Sequence, residues 1–116
     1  MYDLLDRPVT MLHPFEGRIL DATRRWVHAL VMRGTAADTG RDPFSRVMDM
    51  LDRGSRDDLA ISRPCAPLVA EAEAVLLGLW RLVRDGRLDG ARATAALIVG
   101  GGADALVAAM EPLALA

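Results

Sequence analysis

The sequence predicts an all-α protein, a compact bundle of four to five helices that ends in an αα-hairpin. Its 116 residues are 52% apolar but only 4% aromatic, so the core must consist mainly of Ala, Leu, Val and Met. Ala and Leu are strong helix formers, whereas β-branched and aromatic residues favour strands. This length suits a single domain over residues 1–116, which can bury a core without a metal or a disulfide.

The charged residues argue against a nucleic-acid partner. All fourteen basic residues are arginines, and sixteen acids leave a net charge of −2. This chain has no basic excess to neutralise a phosphate backbone. Residues 1–63 hold ten acids and ten arginines, whereas residues 64–116 hold six acids and four arginines. We therefore expect the C-terminal half to be the more buried half or to face a partner.

The N-terminal residues and the single cysteine indicate a cytoplasmic protein. Cys65 has no second cysteine with which to form an intrachain disulfide. The first ten residues carry acids where a secretory signal needs basic residues. The most apolar window, residues 93–110, contains Asp104 and three consecutive glycines, which favours a pair of helices in a soluble protein over a membrane span.

The N-terminal half is predicted to hold an arm and two helices. Residues 1–13 form the arm, which we expect to lie over the body through four apolar residues. The first helix covers residues 14–33, with a proline at its start and Gly34 just past its end. The second covers residues 43–53, with Asp42 as its N-cap. The apolar residues of the arm are Leu4, Leu5, Met11 and Leu12.

Three more helices are predicted in the C-terminal half, over residues 67–85, 90–99 and 103–111. The first of these is apolar around most of its circumference, which is typical of a central helix. Asp89 is predicted to cap the next helix and Gly100 to end it. Between the elements, residues 35–41 are expected to form a polar loop, and Ser55 with Asp58 resembles a capping box.

A glycine motif follows residues 95–99 and decides between two classes of protein. Gly100, Gly102 and Ala105 have the spacing of the dinucleotide-binding fingerprint, in which a strand enters a glycine turn that opens a helix. That site also needs a second parallel strand and an acid about 20 residues further on. Only 14 residues follow Gly102. The sequence therefore favours a turn between two packed helices, and no cofactor is predicted.

The most suggestive polar cluster is Asp21, Arg24, Arg25 and His28 on the first helix. An acid that orients a histidine beside arginines is a combination found in catalytic and anion-binding sites. The interpretation we favour is a solvated helix face with ion pairs, or a contact to a partner helix. No catalytic residue is assigned.

Metal binding and thiol chemistry have little support. His13, His28 and Cys65 are the only imidazole and thiol ligands, and no two of them have a ligand spacing. No metal site is predicted. Cys65 is expected to be a buried or half-buried structural thiol.

These observations favour a non-enzymatic interaction protein, most simply a homo-oligomer or the partner of another protein. Surplus apolar surface in the C-terminal half motivates this hypothesis. The alternative is a binding module for a small acyl or aromatic acid, with an apolar pocket between helices and Arg24, Arg25 and His28 at its rim. An enzyme, using His28, Asp21 and Cys65, is the third and least supported class.

Overall fold

The computed structural model describes residues 4–33, 42–55 and 60–114. Of these residues, 77% are helical, and the only extended pairing among them is a single isolated bridge between Pro8 and Leu68. The all-α prediction is confirmed. The polar loop at residues 35–41 and the capping box that needs Asp58 lie outside the described residues. The helices are α1 (Pro14–Arg33), α2 (Pro43–Gly54), α3 (Glu71–Arg84), α4 (Leu88–Val99) and α5 (Ala103–Ala114).

The chain divides into two units. The first holds the described residues of Met1–Ala37 and Leu59–Gly78, and therefore α1 and the first half of α3. The second holds those of Asp38–Asp58 and Leu79–Ala116, and therefore α2, the end of α3, α4 and α5. The single domain over residues 1–116 stays a prediction.

In the first unit, the N-terminal arm is fastened by backbone hydrogen bonds to the segment before α3. The Val9 amide donates to the Pro67 carbonyl at 2.8 Å, and the Val69 amide donates to the Arg7 carbonyl at 2.9 Å. Leu4 is buried in a core cluster, but Leu5 and Met11 are exposed, which corrects half of the apolar contacts expected of the arm. The buried members of this cluster are Leu4, Leu20, Val69, Ala74 and Leu77.

The helix α3 begins at Glu71, four residues later than predicted. The reason is tertiary: the Pro67 carbonyl and the amide and carbonyl of Val69 form hydrogen bonds with the arm, on either side of the bridge between Pro8 and Leu68, and are not available to a helix. At the C-terminal end of α3, Gly86 has a φ of +75°. The Gly86 amide donates to the Val83 carbonyl, and the Arg87 amide donates to the Leu82 carbonyl. This pair of bonds is a Schellman motif. Only Glu71 and Arg84 are exposed along α3, as expected for a helix that is apolar on most of its circumference.

In the second unit, α2 begins as its sequence predicts. The Asp42 carboxylate accepts hydrogen bonds from the amide of Ser45 at 2.8 Å and from its hydroxyl at 2.7 Å. Val47, Met48 and Leu51 on the apolar face are buried. Phe44 at the start of α2 stacks on Trp80 of α3, with ring centroids 6.2 Å apart.

The C-terminal hairpin is also confirmed, with corrected bounds. The helix α4 begins at Leu88, two residues earlier than predicted, and its N-cap position is occupied by Arg87 without a side-chain cap. Asp89 therefore lies in the first turn, where it pairs with Arg92 at 3.3 Å, and it is not the cap. The helix α5 continues through Pro112 to Ala114, beyond the predicted end at residue 111.

The glycine motif is a helix-to-helix turn. Residues 95–99 belong to α4, Gly100 ends that helix with a φ of +62°, and Gly100–Gly102 form one 3-10 turn before α5. The amide of Gly100 still donates to the Ala96 carbonyl. No strand enters the glycines, so the dinucleotide fingerprint has no structural basis here.

Candidate functional site

The polar cluster predicted on α1 does not stay together. Asp21, Arg25 and His28 are exposed, and the Arg25 Nε lies 3.0 Å from the Asp21 carboxylate. Arg24, in contrast, is buried, with only 1% of its surface exposed. The placement of Arg24 on the wet face of the helix is therefore wrong. It is one helical turn after the buried Leu20, at the flank of the apolar stripe.

Arg24 is buried because it forms a bidentate ion pair with Glu73 of α3. Its Nε donates to Glu73 Oε2 at 2.7 Å, and its Nη2 donates to Oε1 at 2.9 Å. Nη1 donates to the Ala66 carbonyl at 2.8 Å, and Nη2 donates also to the Leu68 carbonyl at 3.0 Å. Four of the five N–H donors of the guanidinium are thus satisfied.

The Glu73 carboxylate is equally well satisfied. Besides Arg24, it accepts the amide of Ser62 at 3.1 Å and the amide of Ala70 at 2.9 Å. The bond to Ala70 is the reciprocal half of a capping box, since Glu73 is the third residue of α3 and reaches back to the residue before the helix. These bonds join α1, the segment over residues 62–70 and the start of α3.

The surroundings of the pair favour the charged form of both Arg24 and Glu73. Burial raises the pKa of the Glu73 carboxyl, whereas the hydrogen bonds from Arg24, Ala70 and Ser62 and the charge of Arg24 lower it. The lowering effects together are larger, so the pKa lies below its ordinary value. The hydrogen bond to Glu73 raises the pKa of Arg24, against the opposing effect of burial. Because the four acceptor positions of the carboxylate are already occupied, the pair is a structural fastening rather than a site for a substrate.

Sequence reasoning missed Glu73 as the partner of Arg24. One signal in the sequence pointed towards it: Glu73 is a carboxylate on a helix that is apolar almost all round. A carboxylate in such surroundings needs a buried cation or several hydrogen bonds. Which of the fourteen arginines supplies the cation depends on how α1 packs, and no local spacing contains that information.

Two exposed members of the predicted cluster, Arg25 and His28, line a groove beside α1. Arg25, His28, Ala29 and Met32 lie along one face of the helix, and Pro64 forms the facing wall. The groove has a volume of about 510 Å³, which falls within the range of small-molecule sites. It differs from the predicted pocket in that Arg24 is not at its rim.

Neither Cys65 nor His13 belongs to the Arg24–Glu73 pair or lines the groove beside α1. Cys65 is exposed, so the expectation of a buried or half-buried thiol is wrong. It lies in a turn at residues 64–65, between Pro64 and Pro67. His13 Nδ1 lies 3.4 Å from the buried Glu16 at the start of α1. Among residues 4–33, 42–55 and 60–114, no group of three or more His, Cys, Asp or Glu side chains is arranged to hold a metal.

The C-terminal hairpin leaves apolar surface exposed on both of its helices. Gly90, Ala93 and Leu97 form an exposed strip along α4, which we call the α4 strip. Leu97 is 78% exposed, the largest value for any large apolar residue in the described part of the chain. A second exposed strip on α5 consists of Ala105, Ala108 and Pro112.

One described stretch, Leu88–Ala114, is long and apolar enough to cross a membrane by length and composition alone. Only 33% of its most apolar window is buried. The same stretch is divided at Gly100 into α4 and α5, which pack against each other. Part of its apolar surface is therefore buried by packing between helices, and the rest is exposed.

These features define an all-α protein with a buried ion pair in one unit and a helical hairpin in the other. Comparisons of the chain with models of known protein families, with curated proteins and with solved structures found no match. Any functional proposal must come from the side chains of this chain.

Proposed function

We propose that this is a non-enzymatic interaction protein that self-associates through the α4 strip. The observation that carries the proposal is the exposure of Leu97, a large apolar side chain at the C-terminal end of a strip whose other members are small and uncharged. Burial of one leucine against a partner contributes about 1.5–3 kcal/mol. The small residues Gly90 and Ala93 allow a second helix to approach closely.

The distribution of charge supports the same surface. No charged residue occurs between Arg92 and Asp104, so the second half of α4 offers no ion that must be desolvated when the strip is covered. The charges nearest the strip are Asp89 and Arg92, which already pair with each other at its edge. An uncharged centre with a polar rim is the usual arrangement of a protein interface.

A second copy of the chain is the simplest occupant. In a twofold-symmetric dimer the same patch serves both partners, so no separate complementary surface is required. Two strips related by a twofold axis would place Leu97 of each copy against the small residues of the other.

The size of the hairpin sets the expected strength. A 12-residue helix is about 18 Å long and about 10 Å wide, so α4 presents a footprint of roughly 180 Å², and both helices of the hairpin together present at most roughly 360 Å². A standard stable interface buries about 800 Å² per partner. We therefore expect a reversible dimer with a dissociation constant in the micromolar range or weaker, on the order of 10–100 μM.

Sedimentation velocity of the full chain from about 5 to 500 μM tests this, because the range brackets the expected dissociation constant. The wild-type protein should shift from the monomer towards twice its mass, whereas Leu97→Glu should stay monomeric throughout. The matched control is Val31→Glu, which changes an apolar residue of similar exposure (74%) on α1 and should dimerise as the wild type does.

Three outcomes would contradict the proposal. The first is a wild-type chain that remains monomeric at the highest concentration. The second is a Leu97→Glu variant that dimerises normally while its circular dichroism is unchanged. The third is a wild-type chain that pelleted with neutral lipid vesicles whereas Leu97→Glu did not, which would assign the strip to a membrane surface instead.

A further inference from the structure

We propose that the groove beside the second half of α1 binds a small carboxylate with an unbranched acyl chain. Arg25 and His28 hold the carboxylate, and Ala29, Met32 and Pro64 contact the chain. This site is separate from the α4 strip: all its residues belong to the first unit, whereas the strip belongs to the second.

The helix itself places the polar and apolar groups in the necessary order. Arg25, His28, Ala29 and Met32 are at positions i, i+3, i+4 and i+7, so their side chains follow one face of α1. The polar pair comes first and the apolar pair one turn later. The distance along the axis from Arg25 to Met32 is about 10.5 Å, which matches an extended chain better than a compact ring.

Charge complementarity supports a carboxylate as the head group. The Arg25 guanidinium lies with its Nε 3.0 Å from the Asp21 carboxylate, and the Arg25 side chain is 74% exposed. An exposed guanidinium can donate a charge-assisted hydrogen bond to a second carboxylate. His28, one turn further along the same face, is exposed and adds an imidazole donor.

The apolar part of the groove supports the acyl chain. Met32 is 70% exposed although it is a large apolar side chain, and Pro64 is also exposed. A bound chain would remove this apolar surface from water. Methionine suits such a contact because its unbranched thioether adapts to a flexible ligand.

Octanoate is the probe for the test, since its extended length is close to the distance from Arg25 to Met32. Heteronuclear NMR titration of the full chain should give saturable shifts at residues 25–32 and near Pro64, with a dissociation constant of about 1 mM for a ligand of this size. Octanol has the same chain without the carboxylate and should bind at least fivefold more weakly.

Two variants distinguish a carboxylate site from general apolar adsorption. Arg25→Gln should weaken octanoate binding about tenfold and leave octanol binding unchanged. Arg18→Gln, at an exposed position of the same helix outside the groove, is the control and should bind octanoate as the wild type does.

The proposal is overturned if octanoate gives no saturable shift at residues 25–32 up to 10 mM, a concentration about ten times the expected constant. Equal weakening by Arg18→Gln and Arg25→Gln would also overturn it, because the effect would then be one of net charge. Shifts confined to α4 and α5 would assign the binding to exposed apolar surface elsewhere.

Discussion

The guanidinium of Arg24 and the carboxylate of Glu73 form a bidentate ion pair, 49 residues apart in sequence, with both side chains almost entirely buried. Every other hydrogen bond of the pair goes to backbone atoms of residues 62–70. That segment has no helix or strand of its own. The pair therefore supplies the polar partners that regular secondary structure would otherwise provide.

Replacement of Arg24 by Met should lower the free energy of unfolding by about 3–5 kcal/mol, because the Glu73 carboxylate would stay buried without its counter-charge. The double variant Arg24→Met with Glu73→Met should recover only part of this loss. An isolated buried pair is often replaced by apolar residues without penalty. Here two carbonyls and two amides of residues 62–70 would still lose their partners, so part of the loss should remain. Urea unfolding followed by circular dichroism measures both effects.

The control for this prediction is Arg25→Met, which removes the exposed pair with Asp21 and should change stability by less than about 1 kcal/mol. Equal losses in Arg24→Met and Arg25→Met would contradict the assignment. A double variant as stable as the wild type would show that the backbone bonds of residues 62–70 are not important.

Acid should destabilise the protein through Glu73. The pKa of this carboxyl is lower in the folded state than its ordinary value of 4.5, so its contribution to stability is complete above that value. The contribution is lost as the pH falls through the folded-state pKa. Unfolding free energies measured at intervals from about pH 6 to pH 3 should therefore fall more steeply for the wild type than for Glu73→Gln. Parallel curves for the two proteins would be inconsistent with this role.

Asp42 should stabilise the start of α2. Its carboxylate accepts both the amide and the hydroxyl of Ser45, and these bonds lower the pKa of Asp42. Asp42→Ala should cost about 1 kcal/mol of stability, whereas Asp42→Ser should retain most of it because serine is also a good N-cap. Thermal unfolding of the two variants gives the comparison. If alanine and serine proved equivalent, the cap would have no energetic role.

Two glycine-to-alanine changes should have opposite signs. A Cβ at either Gly17 or Gly86 would meet no atom within 4 Å, so packing does not enter the comparison. Gly17 lies within α1, where alanine is the better helix former, and Gly17→Ala should stabilise by about 0.5–1 kcal/mol. Gly86 has a φ of +75° in the Schellman motif, and Gly86→Ala should destabilise by about 1–2 kcal/mol. Chemical unfolding of both variants tests the sign, and two changes of the same sign would refute the prediction.

Local signals in the sequence were sufficient for several helix ends. Pro14 and Gly34 predict α1 over residues 14–33, the bounds that the structure has. Asp42 with Pro43 predicts the start of α2, and Gly100 predicts the end of α4. These signals succeed because a cap satisfies backbone groups within one turn of itself.

Other helix ends could not be predicted because distant residues compete for the same backbone groups. Residues 67–69 have a helical pattern, but Pro67 and Val69 form their backbone hydrogen bonds with the arm, so α3 begins at Glu71. The start of α4 differs from its prediction in the opposite direction, since it lies two residues earlier, at Leu88. Arg87 completes the Schellman motif at the end of α3, and α4 follows it directly, which places Asp89 inside the first turn.

The candidate sites show the same division. Composition and helical periodicity were enough to predict that the chain is all-α, that the glycines end a helix, and that Arg25 and His28 share one face of α1. Packing between segments distant in sequence places Arg24 beside Glu73, leaves Cys65 exposed and leaves Leu97 uncovered. The physical reason is that burial of a charge depends on a partner brought near by packing, and that partner has no fixed distance along the chain.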